Sequence, residues 1–417
     1  MRKALAIVLV GLAAWASAAA TDEPGAMVSV RACGAIGDGE TDDTQAFLAA
    51  VEQAKAGETH VFVPKGTYRV SAPVVLENVA VNGPAGGAWP ADIDALPSIL
   101  ATHRDGPAFH LLAGGALHGI DIDYKWEEAP SDGPPAVLIS GIGVYVSNVR
   151  IRYAWDGILT DGKSNVGRLN IENVFMVAIR NVGVRVTGTW DVPRLNNIEV
   201  WNAGPGPRGL EKGVGFHLGK NDLIRMTDCF AFAMGTGFLF EDEIDGLEIT
   251  GGTWGVMNGC STDYCGKGIV ALGAHTLSIS GGTFWNHVDG LTVDGGGGRI
   301  RVSGCEIKSN GGPAVVVGDC DHVALTGCSL LRSMKEYDPP AVLLKGGDTV
   351  LNGNLIDAQG PGVVIQKDVS HAVITGNLIR SGTHPDVVNE SGSESEVVIE
   401  SNSVSTGDHA PKSEGDK

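Results

Sequence analysis

The chain lacks the features that mark several large classes of protein. Its strand-like second half contains no long Ala/Leu/Glu segments, which argues against a repeat built from helices. It has neither a Cys-x-x-Cys pair nor a His/Cys cluster at metal-ligand spacing, so no zinc module is expected. Beyond its first residues, no apolar run is long enough to cross a bilayer. We therefore expect an all-β, non-membrane protein without a bound metal.

Positive charge is also scarce, with 30 Lys and Arg against 49 Asp and Glu. The formal charge is −19, and removing residues 1–18, which hold Arg2 and Lys3 and no acidic residue, gives −19 − 2 = −21. A surface this acidic repels nucleic acid and anionic lipid. We expect neither as a partner.

The first residues have the pattern of a secretory signal peptide. Arg2 and Lys3 precede the apolar stretch 4–12, and Ala16-Ser17-Ala18 matches a cleavage site. The mature protein is therefore expected to be secreted or periplasmic. At the other end, residues 406–417 are polar and predicted to be disordered.

From about Gly143 to Thr406 the chain repeats a short apolar strand, a small turn and a second strand, every 22–30 residues or so. Examples are TLSISGGTF at 276–284, RIRVSGCEI at 299–307, HVALTGCSL at 322–330 and HAVITGNLI at 371–379. Runs of β-branched residues broken by Gly, Asn and Asp indicate strands and tight turns. The alternatives are a stacked parallel coil and an antiparallel sandwich or propeller.

The recurrence of Gly-Cys and Gly-Asn at one place in each repeat favours the coil, because stacked repeats align like side chains. The sequence thus predicts a parallel β-helix over residues 116–405, after a cap and first coils at 27–115. Asn354, Asn377 and Asn402 are expected to form a ladder that satisfies turn backbone.

Seven cysteines are compatible with an oxidising compartment. Cys260 and Cys265 bracket a four-residue loop and are predicted to pair. Cys305 and Cys328 occupy equivalent places in successive repeats, so they are either bonded or stacked.

Residues 28–70 predict a helix that closes one end of the coil. Thr41 or Asp42 is the expected N-cap, with Gln45 in a capping box. An apolar stripe then follows at Phe47, Leu48, Val51 and Ala54. The loop before it, GAIGDGETDD, contains glycines but also three aspartates that would repel phosphate, so its role is expected to be structural.

This segment, with GAIGDGETDDTQAF followed by VFVPKGTY, resembles the N-terminal signature of the pectate-lyase-like superfamily of right-handed β-helices. Polygalacturonase and rhamnogalacturonase relatives and phage tailspikes share that signature. The resemblance implies a protein that works on polysaccharide, as a monomer or a trimer, but it does not select the reaction. The Asn-Thr-Asp, Gly-His-Gly and Arg-Ile-Lys motifs of polygalacturonases are absent. No catalytic residue can be transferred from them.

The core of a β-helix is packed, so chemistry must lie where outward positions of successive coils align. Aligning the repeats on the Gly-Cys/Gly-Asn step places five residues in one row: Trp285, Lys308, Leu331, Asp357 and Arg380. Arg332 lies in the adjacent row. We expect substrate contacts from Trp254, Trp285, Asn310, Tyr337, Asp357 and Arg380.

Hydrolysis is the favoured reaction. Asp289 and either Glu336 or Asp338 are expected two coils, or roughly 9–10 Å, apart. Inverting glycosidases hold two carboxylates at about this separation. Trp285 and Trp254 would offer flat faces to a sugar.

Elimination from a uronic acid, or C5 epimerisation, is the alternative. Lys308 and Arg332 would neutralise the sugar carboxylate and His287 would carry a proton. No cofactor is expected, except calcium if this alternative holds. A third hypothesis is a surface protein that binds glycan without cleaving it.

Overall fold

The computed structural model describes residues 26–84, 86–88, 95–125, 132–202, 212–332 and 339–404, without the side chain of His287. The predicted signal peptide and the tail at 406–417 lie outside these ranges. Within them the chain forms one α-helix and 38 strands, and the strand pairings are parallel. The predicted parallel β-helix is confirmed. No helix in the described ranges has the length and apolar character needed to cross a membrane.

Each coil contributes to three parallel sheets, and five long strands bend from one sheet into the next. Sheet 1 contains Val28–Ser29, Val61–Phe62, Ala80–Asn82, Ala116–His118, the first halves of Tyr145–Arg152, Asn170–Val177 and Arg194–Trp201, then Asn221–Thr227, Thr253–Asn258, Thr276–Ser280, Arg299–Ser303, His322–Thr326, Asp348–Asn352, His371–Thr375 and Glu396–Glu400. Sheet 2 contains Asp38–Asp42, Thr67–Val70, Ser98–Ala101, Asp121–Asp123, the second halves of the three long strands, Phe230–Phe232, the first parts of Ser261–Leu272 and Thr283–Asp294, then Glu306–Ser309, Ser329–Arg332, Leu355–Asp357, Leu378–Arg380 and Ser403–Val404. Sheet 3 contains Val74–Leu76, Phe109–Leu111, Pro135–Ile139, Asp156–Thr160, Val182–Val186, Val214–Leu218, Thr236–Glu241, the second parts of Ser261–Leu272 and Thr283–Asp294, then Val315–Val317, Val342–Leu344, Val363–Ile365 and Val387–Asn389.

Alternation along each strand builds the core. In sheet 1, Leu325, Leu351 and Ile374 stack in register and are fully buried. Val350, the residue directly before Leu351 on the same strand, points outward. Burying one such side chain stabilises the fold by about 1.5–3 kcal/mol. Because the same column continues from coil to coil, the interior is filled and any site must be external.

The turn from sheet 1 to sheet 2 contains the predicted asparagine ladder. The backbone N–H of Asn354 donates to Asn377 Oδ1 at 2.9 Å, and that of Asn377 donates to Asn402 Oδ1 at 3.0 Å. The ladder continues into cysteines, since the N–H of Cys328 donates to Asn354 Oδ1 at 2.9 Å. The prediction of a structural ladder is confirmed.

The predicted Cys260–Cys265 disulfide is wrong. All seven cysteines are free thiols. Cys260 belongs to the turn column, whereas Cys265 lies inside the next strand with its Sγ 3.4 Å from the carbonyl oxygen of Ala231. Cys305 and Cys328 are stacked rather than bonded, and burial raises the pKa of both thiols.

The helix Thr44–Ala56 packs against Val28–Ser29, Val61–Phe62 and Val74–Leu76 and so covers the first coil, as predicted. Phe47, Val51 and Ala54 of its predicted apolar stripe are buried, whereas Leu48 is half-buried. Covering these strands protects a sheet end that would otherwise be open to pairing.

The predicted capping is correct in part: Asp42 Oδ1 accepts the N–H of Thr44, the first helical residue, at 3.0 Å, but Asp42 is not the N-cap residue. Asp43 is the N-cap residue and makes no side-chain capping bond, because its carboxylate instead accepts the N–H groups of Ile36 and Gly37 at 2.7 and 3.1 Å. Gln45 is exposed and closes no capping box. The carboxylate of Asp38 likewise accepts bonds from its own loop. The acidic signature therefore ties the first coil together, which confirms its structural role.

Candidate functional site

The outward row predicted from the sequence exists on sheet 2. Trp285 pairs with Lys308, Lys308 with Leu331, Leu331 with Asp357 and Asp357 with Arg380. Stacking therefore places the five residues in one column about 4.8 Å apart. Their functional role stays a prediction.

Contacts within this row are mostly local. Lys308 Nζ lies 4.7 Å from the centre of the Trp285 ring, and Trp285 Nε1 donates to Glu306 Oε1 at 2.6 Å. Arg380 and Asp357 form a half-exposed ion pair at 3.7 Å. Such surface pairs contribute about 0–1 kcal/mol to stability.

The expected grouping of Arg332 with Lys308 is wrong. Arg332 pairs with Ser309, one position further along the strand, and is only 2% exposed. Because neighbouring positions of a strand face opposite sides, Arg332 points into the solenoid while Lys308 points out. Arg332 cannot neutralise a sugar bound beside Lys308.

Trp254 is also misplaced by the prediction. It is 52% exposed, but its strand, Thr253–Asn258, belongs to sheet 1 and pairs with Thr276–Ser280. Trp285 belongs to sheet 2. The two rings therefore lie on different faces and do not form one platform.

Asp289 lies past the bend of Thr283–Asp294, on sheet 3, where it pairs with Lys267. Burial raises the pKa of Asp289, and Lys267 and Lys345 oppose that rise. The strand bend separates Asp289 from Trp285 and Lys308. Asn310 follows sheet 2, with its N–H bonded to the carbonyl oxygen of Asn286 at 3.0 Å.

Three predicted residues, Glu336, Tyr337 and Asp338, lie outside the described ranges, and so does the side chain of His287. The proposed carboxylate pairs of Asp289 with Glu336 or Asp338 stay predictions.

The outer face of sheet 3 carries a polar row that the sequence analysis missed. The row is two columns wide. His110, Arg185 and His217 share one register position, and Ser140, Asp161, Glu241 and Asp294 lie on the same face at the position two residues further along the strands. One signal was present in the sequence: Arg185 and His217 follow Gly183 and Gly215 at the same offset, in VGVRV and VGFHL.

His217 and Glu241 form the centre of this sheet 3 polar row. His217 Nε2 lies 2.7 Å from Glu241 Oε2. Burial lowers the pKa of His217, while Glu241 opposes the shift and Arg185 adds to it. The imidazole is therefore neutral near pH 7 and is oriented by a carboxylate, which is the arrangement of a general base.

Arg185 occupies the coil before His217. Its Nη2 donates to the carbonyl oxygen of Thr160 at 3.1 Å, and its Nε is buried without a partner among the described residues. Burial lowers the pKa of Arg185, and the nearby carboxylates of Asp156 and Asp161 oppose that shift. Arg185 is thus placed to bind a carboxylate of a ligand on this face.

Two carboxylates of the row are spaced for hydrolysis. Glu241 pairs with Leu272 and Leu272 with Asp294, so the acids are two coils, or about 9–10 Å, apart. Inverting glycosidases hold their carboxyl groups about 6.5–9.5 Å apart. In this structure Glu241 Oε2 is turned toward His217 of the preceding coil, and Asp294 Oδ1 accepts the N–H groups of Gly295 and Asp319 at 2.8 and 3.0 Å. The two-coil spacing is therefore that of the backbone.

One wall of the site is the loop that follows Glu241. Leu247 packs against Gly162, and Ile249 packs against Gly188, where added Cβ atoms would come within 2.8 Å of these side chains. Lys163 and Glu248 form an exposed ion pair at 3.3 Å. The described residues contain no group of three or more His, Cys, Asp or Glu side chains that could hold a metal ion.

Comparison with known families agrees with this fold. The family described as rhamnogalacturonase A/epimerase, pectate lyase-like, matches residues 27–98. The family described as right handed beta helix region matches residues 182–336. The resemblance to the pectate-lyase-like β-helices is confirmed.

An exopolygalacturonase of Arabidopsis thaliana is 41% identical over 241 residues, which is 54% of this chain and 48% of the relative. The chain thus spans about half the length of the curated relative that it matches.

Two solved structures share the fold at low identity. The A-module of mannuronan C-5 epimerase AlgE4 from Azotobacter vinelandii is 16% identical, with a TM-score of 0.54 over 91% of this chain and 99% of that one. A tailspike mutant of E. coli bacteriophage HK620, in complex with a pentasaccharide, is 11% identical, with a TM-score of 0.60 over 89% of this chain and 80% of that one. These matches show the right-handed β-helix.

Proposed function

We propose that this pectate-lyase-like β-helix is an extracellular glycoside hydrolase that cleaves a polysaccharide containing uronic acid on the outer face of sheet 3. The observation that carries the proposal is the alignment of Arg185, His217, Glu241 and Asp294 on consecutive or near-consecutive coils of one face. The match to an exopolygalacturonase supports the reaction class.

In this mechanism Arg185 binds the carboxylate of the sugar. Asp294 protonates the leaving glycosidic oxygen as the bond to the anomeric carbon breaks. The His217–Glu241 pair, joined at 2.7 Å, removes a proton from the water that attacks the same carbon from the other side. The products are two shorter chains with one new reducing end.

A second candidate, elimination or C5 epimerisation, is favoured by the neutral His217 beside Arg185. Both reactions begin when a base removes the C5 proton while a cation neutralises the uronate. Burial lowers the pKa of His217, which suits that role.

The reactions differ in their products. Purified protein is incubated with polygalacturonate and a panel of other glycans, and reducing ends and absorbance near 232 nm are followed. New reducing ends without absorbance support hydrolysis, and both together support elimination. Deuterium uptake from D2O without cleavage supports epimerisation. Retention on a glycan gel with no product at all would contradict catalysis.

Variants locate the site. We expect Glu241→Gln and His217→Gln each to lower kcat by roughly 100-fold or more, because general acid–base catalysis contributes about 10²–10⁴-fold. Trp254→Ala, on sheet 1, is the control and should keep full activity. Loss of activity in Asp289→Asn with normal activity in Glu241→Gln would move the catalytic centre toward Asp289, as the sequence analysis expected.

A further inference from the structure

Sheet 2 carries a group of side chains that the proposed reaction does not use. Five aromatic residues cluster on its outer face over four successive coils: Phe175, Trp201, Phe230, Phe232 and Tyr264. Strand pairing places these residues beside one another: Trp201 pairs with Phe232, and Phe232 pairs with Asp263, the residue before Tyr264. This aromatic cluster faces away from sheet 3.

The rings form a continuous surface. Ring centres are 5.4 Å apart for Phe175 and Trp201, 5.5 Å for Trp201 and Phe232, and 6.2 Å for Phe232 and Tyr264. Phe175 is buried beneath, whereas Tyr264 is 37% exposed. Phe175 and Trp201 meet edge to face at 77°, Trp201 and Phe232 are tilted by 49°, and Phe232 and Tyr264 are nearly parallel at 28°. The exposed part of the cluster, with Tyr264 at its end, can contact the apolar face of a sugar ring.

A cavity of about 200 Å³ opens beside the cluster. Its lining includes Phe175, Glu199, Asn148, Asn173 and Asn197. The three asparagines occupy one corner of successive coils with φ near +50° (52°, 51° and 50°), and Asn197 Nδ2 donates to Asn173 Oδ1 at 3.0 Å. Side-chain amides therefore form the rim of the cavity, and they offer both donors and acceptors.

Glu199 contributes a carboxylate to the same cavity. Its Oε2 is buried and has no hydrogen-bond partner among the described residues. A buried carboxylate oxygen without a donor is costly, and a ligand hydroxyl would satisfy it. Burial raises the pKa of Glu199, and a hydrogen bond from the Trp201 side chain to this carboxylate opposes that rise, so it is Oε2 that is left for a ligand.

Charge argues for a neutral ligand. The cations of the adjoining coils on this face are already engaged: Arg150 binds Asp121 at 2.7 Å, and Arg152 binds Asp121 and Asp123 at 2.6 and 2.9 Å. The carboxylate of Glu199 would repel an acidic sugar. This face therefore differs from sheet 3, where Arg185 points to an acidic one.

We propose that the aromatic cluster and the Glu199 cavity form a second carbohydrate-binding site, specific for a neutral pyranose oligosaccharide. The rings stack on the sugars, the asparagine amides bind their hydroxyls, and Glu199 accepts a hydroxyl hydrogen bond. The site is separate from the sheet 3 polar row and does not depend on the hydrolase proposal.

The test is calorimetric titration with neutral gluco-, manno- and galacto-hexaoses, with hexagalacturonate as the acidic comparison. At least one neutral hexaose should bind with a Kd at or below the millimolar range. Glu199→Gln, which keeps the side-chain shape, and Tyr264→Ala, at an exposed position, should each weaken that binding by about tenfold. Denaturant midpoints equal to that of the parent protein confirm that each variant is folded.

Two matched controls separate this site from the catalytic one. Trp254→Ala removes an exposed tryptophan of sheet 1, and Glu241→Gln changes the sheet 3 polar row. Both should bind the neutral hexaose like the parent. The proposal is overturned if no neutral hexaose binds, or if Glu241→Gln loses the binding that Glu199→Gln retains. It is also overturned if hexagalacturonate binds more tightly than the neutral hexaoses and Glu199→Gln changes that binding.

Discussion

At the scale of single residues, burial decides the protonation of several histidines. His275 is fully enclosed, accepts a hydrogen bond at Nδ1 from the N–H of Thr253 at 2.9 Å, and contacts the carbonyl oxygen of Leu272 through Nε2 at 2.9 Å. This pattern requires a neutral ring with its proton on Nε2. Burial lowers the pKa of His275 accordingly.

The free energy of unfolding should therefore fall as pH falls below about 6.5, the ordinary value for histidine. Below that pH the unfolded chain binds a proton that folded His275 resists, so stability rises with pH in this window. We expect His275→Gln to lower stability at pH 7.5 by about 1–3 kcal/mol through the lost hydrogen bonds, and to flatten the decline toward pH 5. Urea titrations at both pH values measure this.

The exposed His371 provides the control, because its bond to Asp348 at 2.7 Å raises the pKa. Its contribution is present at low pH and lost as pH rises through the raised pKa, so His371→Gln should steepen the decline slightly. An unchanged pH slope in His275→Gln would refute the assignment.

At the scale of the repeated element, the turn between sheets 1 and 2 depends on stacked amides. Asn377 is 1% exposed; its Oδ1 accepts the N–H and the side chain of Asn354 at 2.9 and 3.0 Å. Its Nδ2 donates to the carbonyl oxygen of Leu351 at 2.9 Å. Nδ2 also donates to the carbonyl oxygen of Thr375 at 3.1 Å, so one side chain satisfies backbone groups of two coils.

We expect Asn377→Ala to reduce the free energy of unfolding by about 2–4 kcal/mol, since it leaves more than one buried polar group unsatisfied. Denaturant unfolding measures the loss. Asn352→Ala is the matched control: Asn352 is exposed and makes one bond at 3.3 Å, so its loss should stay below about 1 kcal/mol. Equal losses in the two variants would contradict a ladder role.

At the scale of the whole molecule, a column of glycines lines the inside of sheet 3. Gly183, Gly215, Gly237, Gly268 and Gly290 follow one another in register-equivalent places. At Gly237 an added Cβ would lie 2.2 Å from Thr262 Cγ2 and 2.9 Å from the carbonyl oxygen of Gly268. The absence of side chains brings the strands of sheets 2 and 3 close together beneath the polar row.

Gly237→Val should overpack this column and reduce stability by about 1–3 kcal/mol or more. Because Glu241 lies on the same strand as Gly237 and His217 lies on the adjoining one, we also expect lower kcat in the folded fraction. The control is Thr236→Val, at the outward position before Gly237, where the new side chain has nearly the volume of the old one. Its free energy of unfolding should stay within about 0.5 kcal/mol of the parent value. Thermal unfolding and steady-state kinetics of the two variants provide the comparison, and equal behaviour would refute the packing argument.

Periodicity predicted the β-helix, the outward row from Trp285 to Arg380 and the asparagine ladder, because stacking turns a regular spacing into a column. It also predicted the capping helix, whose apolar stripe is local in sequence. These features depend on neighbours within one repeat or on equivalent places in adjacent repeats.

The candidate site could not be predicted in the same way. Whether Thr283–Asp294 bends from sheet 2 to sheet 3 between Trp285 and Asp289 depends on packing against coils on both sides, and so does the inward orientation of Arg332. Cys260 and Cys265 are close in sequence but are held apart by the turn and the strand that follows it. Loop lengths vary between coils, so the meeting of Arg185, His217 and Glu241 on one face arises only when the coils stack in three dimensions.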